Sequence, residues 1–247
     1  MSQSRTYRLL ASALCAAALL ASAAPAAAEE DEGAEAPASD PDALGNHQKN
    51  IRLDIGGRAQ FINSTGLDPF SKNDVIGQFS LAASYGFWAS GPLSLAAVVG
   101  FDHGGASANV RSDDTSLALE RITLAPEARY HLLRVLAVTA KVGPTLTSES
   151  AQVSGGLDTT LSRAAWKFGF DATAGAAVEL WGYRSGRSNK PRLWLAGEGG
   201  YGWTAPMTMA FKPDESGTVP QRLTPLVFDD LTLAGPLFRI TAGLSFW

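Results

Sequence analysis

The sequence predicts an all-β fold, a transmembrane antiparallel up-and-down β-barrel of eight strands, and three observations predict it. From Asn50 onward, segment after segment alternates apolar residues with small or polar ones at the period of an extended chain. Several of these segments exceed the ~9–11 residues that a tilted strand needs to cross a bilayer, whereas ordinary strands run to about 5 or 6. The connections alternate long and short, and aromatic residues gather at both ends of the segments.

The chain has 247 residues, 45% hydrophobic and only 18% charged, a composition that suits one large β domain. Its first 28 residues read as a secretory signal peptide. Arg5 and Arg8 precede an apolar run from Leu9 to Leu20, and Ala26 and Ala28 form a small-residue cleavage site before Glu29. The sole cysteine, Cys15, lies in this leader behind Leu14, where a lipoprotein site needs a small residue. The mature chain therefore has no thiol, which excludes disulfides, thiolate metal sites and a cysteine nucleophile. From Glu29 to Asp42 the chain is Ala, Pro, Gly and acidic residues with a single Ser, and without Lys or Arg. Such a segment cannot bury enough apolar area to offset its ordering entropy, so residues 29–49 are expected to form a disordered acidic tail.

The barrel is expected over 50–247. Ile51, Leu53, Ile55, Ala59 and Phe61 share one face of a first strand against Arg52, Asp54, Arg58 and Gln60, and a polar loop runs from Asn63 to Asp74. A second strand sets Val75, Phe79, Leu81, Ala83, Tyr85 and Phe87 against Gln78, Ser80 and Ser84, then turns at Ser90 to Pro92. The third carries Leu93 to Phe101 and ends in a Gly- and Asp-rich loop, Asp102 to Thr115. The fourth places Ile122, Leu124, Ala128 and Tyr130 opposite Arg121, Thr123, Glu127 and Arg129, with a short turn at His131 to Arg134. The fifth sets Leu136, Val138, Val142 and Leu146 against Thr139, Lys141, Thr145 and Thr147, and a Ser/Gly-rich loop follows. The sixth alternates Trp166 to Leu180 with Lys167, Asp171, Thr173 and Glu179. After a basic turn from Tyr183 to Pro191, the seventh runs from Arg192 to Trp203. Thr204 to Asp230 is read as an extension above the barrel, because Pro206, Pro220 and Pro225 interrupt it; if it crossed, the strands would number ten.

The closing strand shows the pattern without interruption: Phe238, Ile240, Ala242, Leu244 and Phe246 on one face, Arg239, Thr241, Gly243 and Ser245 on the other, and Trp247 at the end. Aromatic girdles are expected from Phe87, Trp88, Tyr130, Trp181, Tyr183 and Trp194 beside the short turns and from Trp166, Tyr201 and Trp203 toward the long loops.

Together with the strand end Pro126 to Tyr130, these features over Asn50 to Trp247 make the chain resemble the small OmpA- and OmpX-type barrels among porin-like bacterial outer-membrane proteins. The resemblance implies a Gram-negative outer membrane, a tail in the periplasm and contact with outer-membrane lipids. It also implies that Phe238, Ile240, Gly243, Leu244, Phe246 and Trp247 form the signal read by the barrel-assembly machinery.

The expected interior carries Arg52, Arg58, Arg121, Arg129, Lys141, Lys167 and Arg239 against Asp54, Glu127, Asp171, Glu179 and Glu198. A barrel of this size is just wide enough for its own side chains, and unpaired buried charges are costly, so a paired network plugging the interior is the preferred reading. A narrow channel for ions or small solutes is the alternative. A lipid-modifying enzyme ranks third. It would need a His at the outer rim, and only His103 is suitably placed, with Asp102 beside it and Ser107, Asp113 and Asp114 further along the loop. The same acids lack a metal-ligand spacing, and neither a metal nor a cofactor is expected.

The outer loops are acidic, with Asp68, Asp74, Asp113, Asp114, Glu149, Asp158, Asp214, Glu215, Asp229 and Asp230, which disfavours direct lipopolysaccharide recognition. Arg184, Arg187, Lys190 and Arg192 at the third turn face anionic headgroups. At a net charge of −4 no nucleic-acid partner is expected. The long loops, the last of them with Met207, Met209, Phe211, Leu226, Val227 and Phe228, offer a surface for an unidentified partner or a lid over the barrel mouth.

Overall fold

The computed structural model describes residues 50–110, 113–133, 135–154, 160–181, 191–213 and 226–246. Residues 1–49, with the expected signal peptide and acidic tail, lie outside them, as do Tyr183 and Trp247.

Ten strands follow one another in the order β1 (Ile51–Phe61), β2 (Val75–Ser90), β3 (Leu93–Val110), β4 (Asp113–Leu133), β5 (Leu136–Ser154), β6 (Thr160–Trp181), β7 (Arg192–Thr204), β8 (Ala210–Pro213), β9 (Leu226–Val227) and β10 (Gly235–Phe246). Strands β1 to β7 each pair antiparallel with their chain neighbours. β10 pairs with β7, and then with β1 from Ile51↔Phe246 to Gln60↔Leu237, so eight strands form a closed ring. Closure partners the ladder on both sides of each strand through the belt, the condition for strands to span a bilayer, and one-sided pairing begins only above it, at 106–110 of β3 and 163–167 of β6. The stretch after β7 does not cross. β8 has four residues and β9 two, and they form a small hairpin added to β6 at Leu161↔Pro213.

The outer face is apolar. Leu53, Ile55, Leu124, Phe168, Leu180 and Ile240 are each at least half exposed, a surface far larger than a water-soluble protein tolerates. β10 alternates one buried with one exposed residue throughout, placing Phe238, Ile240, Leu244 and Phe246 outside and Arg239, Thr241, Gly243 and Ser245 inside. The ring is thus a transmembrane barrel whose solvent is lipid outside and its own side chains within. Replacing Ile240 by arginine is expected to lower unfolding stability in lipid vesicles by about 2–4 kcal/mol, as for other lipid-facing midplane positions, and a urea titration measures it.

Strand length is uneven. β3 to β6 have 18 to 22 residues, whereas β1, β7 and β10 have 11 to 13. One wall therefore stands taller by roughly 17 Å or more of strand. Much of what composition marks as loop is this wall: Asp102 to Val110 belongs to β3, Asp113 to Glu120 to β4 and Ser148 to Ser154 to β5. The physical reason is that the two faces exchange character. Within the belt β4 turns Leu124 and Pro126 outward and Thr123, Glu127 and Arg129 inward; above it Leu117 and Leu119 point inward and Ser116 outward. On β5 the apolar outer face ends at Leu146, after which Ala151 and Val153 face inward and Ser150 and Gln152 outward or toward the rim. The membrane-spanning part of β5 thus stops near Leu146, level with Ile122 of β4.

The missing wall on the short side is replaced by chain. Residues 62–74 and the segments flanking β8 and β9 fold inward against the tall wall. Ile62, Leu67, Phe70, Met207, Met209, Phe211, Leu231 and Leu233 pack on Ile76, Leu117, Leu119, Ala151 and Val153 in one buried cluster. Asp74 holds a positive φ of 51°, a conformation Asp tolerates, as its carbonyl accepts the Ile62 N–H at 2.7 Å and closes the first of these segments. Met207 and Leu231 exchange backbone hydrogen bonds of 2.8 and 2.9 Å across the second.

Candidate functional site

The interior is the candidate site, and it has two tiers. The upper tier is a chain of ion pairs from one side of the lumen to the other. Arg239 on β10 donates to both oxygens of Asp102 on β3 at 3.1 and 2.8 Å. Asp102 also accepts from Arg58 of β1 at 3.0 Å and from the Ser80 hydroxyl. Arg58 continues to Asp171 of β6 at 2.8 Å, and Asp171 accepts from Arg121 of β4 at 3.0 Å. Arg121 ends the chain on the Thr204 hydroxyl of β7 at 3.1 Å. Gln60 accepts from Arg58 and donates to the carbonyls of Gly202 and Leu233, tying the ladder to the apolar cap above. Gly202 is needed here: a Cβ would lie 2.7 Å from Asp171 Oδ1 and 3.0 Å from Arg58 Nη2.

The lower tier lies toward the short turns. Arg52 pairs with Asp54 at 2.7 Å, and Gly243 leaves the room that pair occupies. Arg129 pairs with Glu127 and donates to Ser84 at 2.7 Å. Lys141 pairs with Glu198 at 2.6 Å and lies 3.9 Å from Glu127, and Thr173 also donates to Glu198. At the turn end Arg192 lies 3.3 Å from Glu179. A cavity of about 10 Å³ among Asn50, Arg52, Arg129, His131, Thr139 and Trp194 is the size of about one water.

Every charged residue expected inside faces inward, and all but Lys167 join a direct pair among the described residues. Two acids escaped sequence reasoning. Asp102, placed there at the start of a surface loop, is the hub of the upper tier at 1% exposure. Glu149, counted with the loop acids, is an inward residue of β5 at 0% exposure. Period two counted onward to His103 would have found Asp102, because His103 is exposed on the outer face and Asp102 alternates with it.

At the girdles, Phe87, Trp88, Tyr130, Trp166, Tyr201 and Trp203 are exposed on the outer face. Trp181 closes β6 at the turn end. Trp194 does not join the girdle: it faces the lumen, where its indole donates to Ser245 at 2.9 Å, because it alternates with the outward Leu195 on β7 and pairs with the inward Glu179 of β6.

His103 is separated from the residues expected to assist it. It faces outward, 3.9 Å from Glu120, while Asp102 faces the lumen. Asp114 accepts from Asn109 at 2.9 Å at the rim. Among the described residues no group of three or more His, Asp or Glu side chains is placed to hold a metal ion.

A closed ring with lipid-facing apolar residues outside and paired charges inside defines a transmembrane β-barrel. No family model matches the chain, and no curated protein does. Among solved structures, it is similar to Ail, the attachment invasion locus protein of Yersinia pestis, crystallised with the heparin analogue sucrose octasulfate. That likeness has 10% identity and a TM-score of 0.45 over 81% of this chain and 99% of that one. Neisserial surface protein A gives 12% and 0.42 over 80% and 96%. A major outer membrane protein from Thermus thermophilus gives 18% and 0.44 over 79% and 99%. The fold rests on the closed pairing and not on these likenesses.

Proposed function

We propose that the protein is a bacterial outer-membrane barrel, exported by the signal peptide of residues 1–28 with its tail in the periplasm, that works through its outer surface as a structural or interaction protein. The observation that carries this reading is the ladder Arg239, Asp102, Arg58, Asp171, Arg121 and Thr204, which crosses the lumen beneath an apolar cap. A solute path would have to break several buried ion pairs and then part a packed hydrophobic cluster, each an unfavourable step. Catalysis finds little support, since His103 and Asp102 lie on opposite faces of β3. What remains is the tall wall and the cap, presented to an unidentified surface partner, with outer-membrane lipids around the belt and the assembly machinery engaged during biogenesis.

Planar-bilayer recording of the refolded mature protein tests this, with heat-modifiable gel migration as the check of closure. A heat-modifiable barrel without discrete conductance steps is expected. Stable steps whose size changes in Glu179→Gln would replace this reading with a narrow channel.

A further inference from the structure

Glu149 is the one carboxylate of the interior whose two oxygens accept no hydrogen bond from any described residue. Its place is unusual. On the inner face it lies directly between Leu119 of β4 and Ala165 of β6, with Ala151 two residues above it, and all three belong to the apolar cluster under the cap. It lies beyond the membrane-spanning part of β5, one residue past the Ser148↔Trp166 pair at the girdle. A carboxyl in the floor of a hydrophobic cluster is tolerated when protonated and costly when ionised.

We propose that Glu149 is a pH-sensitive latch: protonated, it completes the floor of the cap and holds segments 62–74, 205–213 and 226–234 closed over the barrel; ionised, it releases them.

The charged groups around it do not reverse this. Arg121 faces it from β4, but its Nη groups are committed to Asp171 and Thr204. Lys167 faces it from β6 without a direct ion pair, and Arg163 follows two residues above Ala165 on the same strand. Thr147 and Ala151, its neighbours on the inner face of β5, do not titrate. From the cap come apolar side chains, while Asp68, Lys72, Asp74, Asp229 and Asp230 are exposed to water. Burial pushes the Glu149 carboxyl up from 4.5 to about 8, against the opposing pull of Arg121 and Lys167. The capped form therefore holds the proton more tightly than an opened form. Its stabilisation is complete below pH 4.5 and is lost as pH rises through about 8. This latch belongs to the cap and stands whether or not the barrel below conducts.

Amide hydrogen exchange of the full refolded protein in micelles, corrected for the intrinsic rate at each pH, reads the opening. The Met207 and Leu231 amides report the cap, and the β1–β10 ladder reports the barrel. Between pH 6 and 9 the cap's opening constant is expected to rise on the order of a hundredfold while the ladder stays constant. Glu149→Gln is expected to stay protected and pH-independent, and Glu149→Met serves equally if the glutamine variant does not refold. A wild-type change below about threefold, or a variant that follows the wild-type profile, overturns the latch.

Discussion

Replacing Asp102 by alanine is expected to lower the unfolding free energy of the vesicle-refolded barrel by about 3–5 kcal/mol, the cost of removing one partner from a buried ion pair. Asp102 is 1% exposed and accepts from Arg58, Arg239 and Ser80, so three donors on three strands lose their acceptor at once. Arg58 keeps Asp171. Arg239 keeps no direct carboxylate partner among the described residues, and its guanidinium stays buried in the lumen. The penalty comes from the orphaned charge more than from the lost bond. Asp102→Ala combined with Arg239→Met should therefore recover most of the loss, whereas a simple loss of packing would grow with the second substitution. Urea midpoints of the two variants separate these accounts. A single-variant effect below about 1 kcal/mol would mean that the upper tier does not hold the barrel together.

The membrane belt was legible in the sequence because lipid imposes one rule on every crossing strand. Apolar side chains must point out, and the narrow lumen must hold whatever points in, so Leu244 and Arg239 are placed by parity alone. The same rule hid the top of the molecule. Above the belt the solvent outside is water and the inside is a packed cluster, so the faces trade polarity between Leu146 and Ala151, and a reader following one pattern sees it end. Ser, Gly and Asn residues there look like loop, although the ladder continues to Ser154 on β5 and Val110 on β3. The ion-pair partners were legible only as a set. Which Arg meets which Asp depends on strand neighbours across the lumen, such as β1 with β6, which no local pattern encodes. The cap was foreshadowed by the apolar residues Met207, Met209 and Phe211, but its other half, Leu67 and Phe70, lies inside a stretch that reads as polar loop.

Phe70→Ala is expected to open the cap and leave the barrel closed. Phe70 is 0% exposed, its N–H donates to the Leu67 carbonyl at 2.8 Å, and its ring belongs to the cluster beneath Met207 and Leu231. Truncating a buried phenylalanine costs about 3–5 kcal/mol through lost burial and the cavity left behind. Here that cost falls on a unit made by short segments, and none of the pairings that close the ring of eight strands is made by residues 62–74. The opening constant should rise by a hundredfold or more, on the scale where about 1.4 kcal/mol is tenfold. Lys72, exposed two residues away, gives the readout: trypsin should cut there far faster in the variant, while heat-modifiable migration is unchanged. If migration changed as well, cap and barrel would be one cooperative unit, and the outer surface could not move independently of the membrane-spanning ring. If neither changed, the cluster around Phe70 would contribute little to holding the segments down. The tall wall of β3 to β6 would then be the part of the outer surface rigid enough to present to a partner.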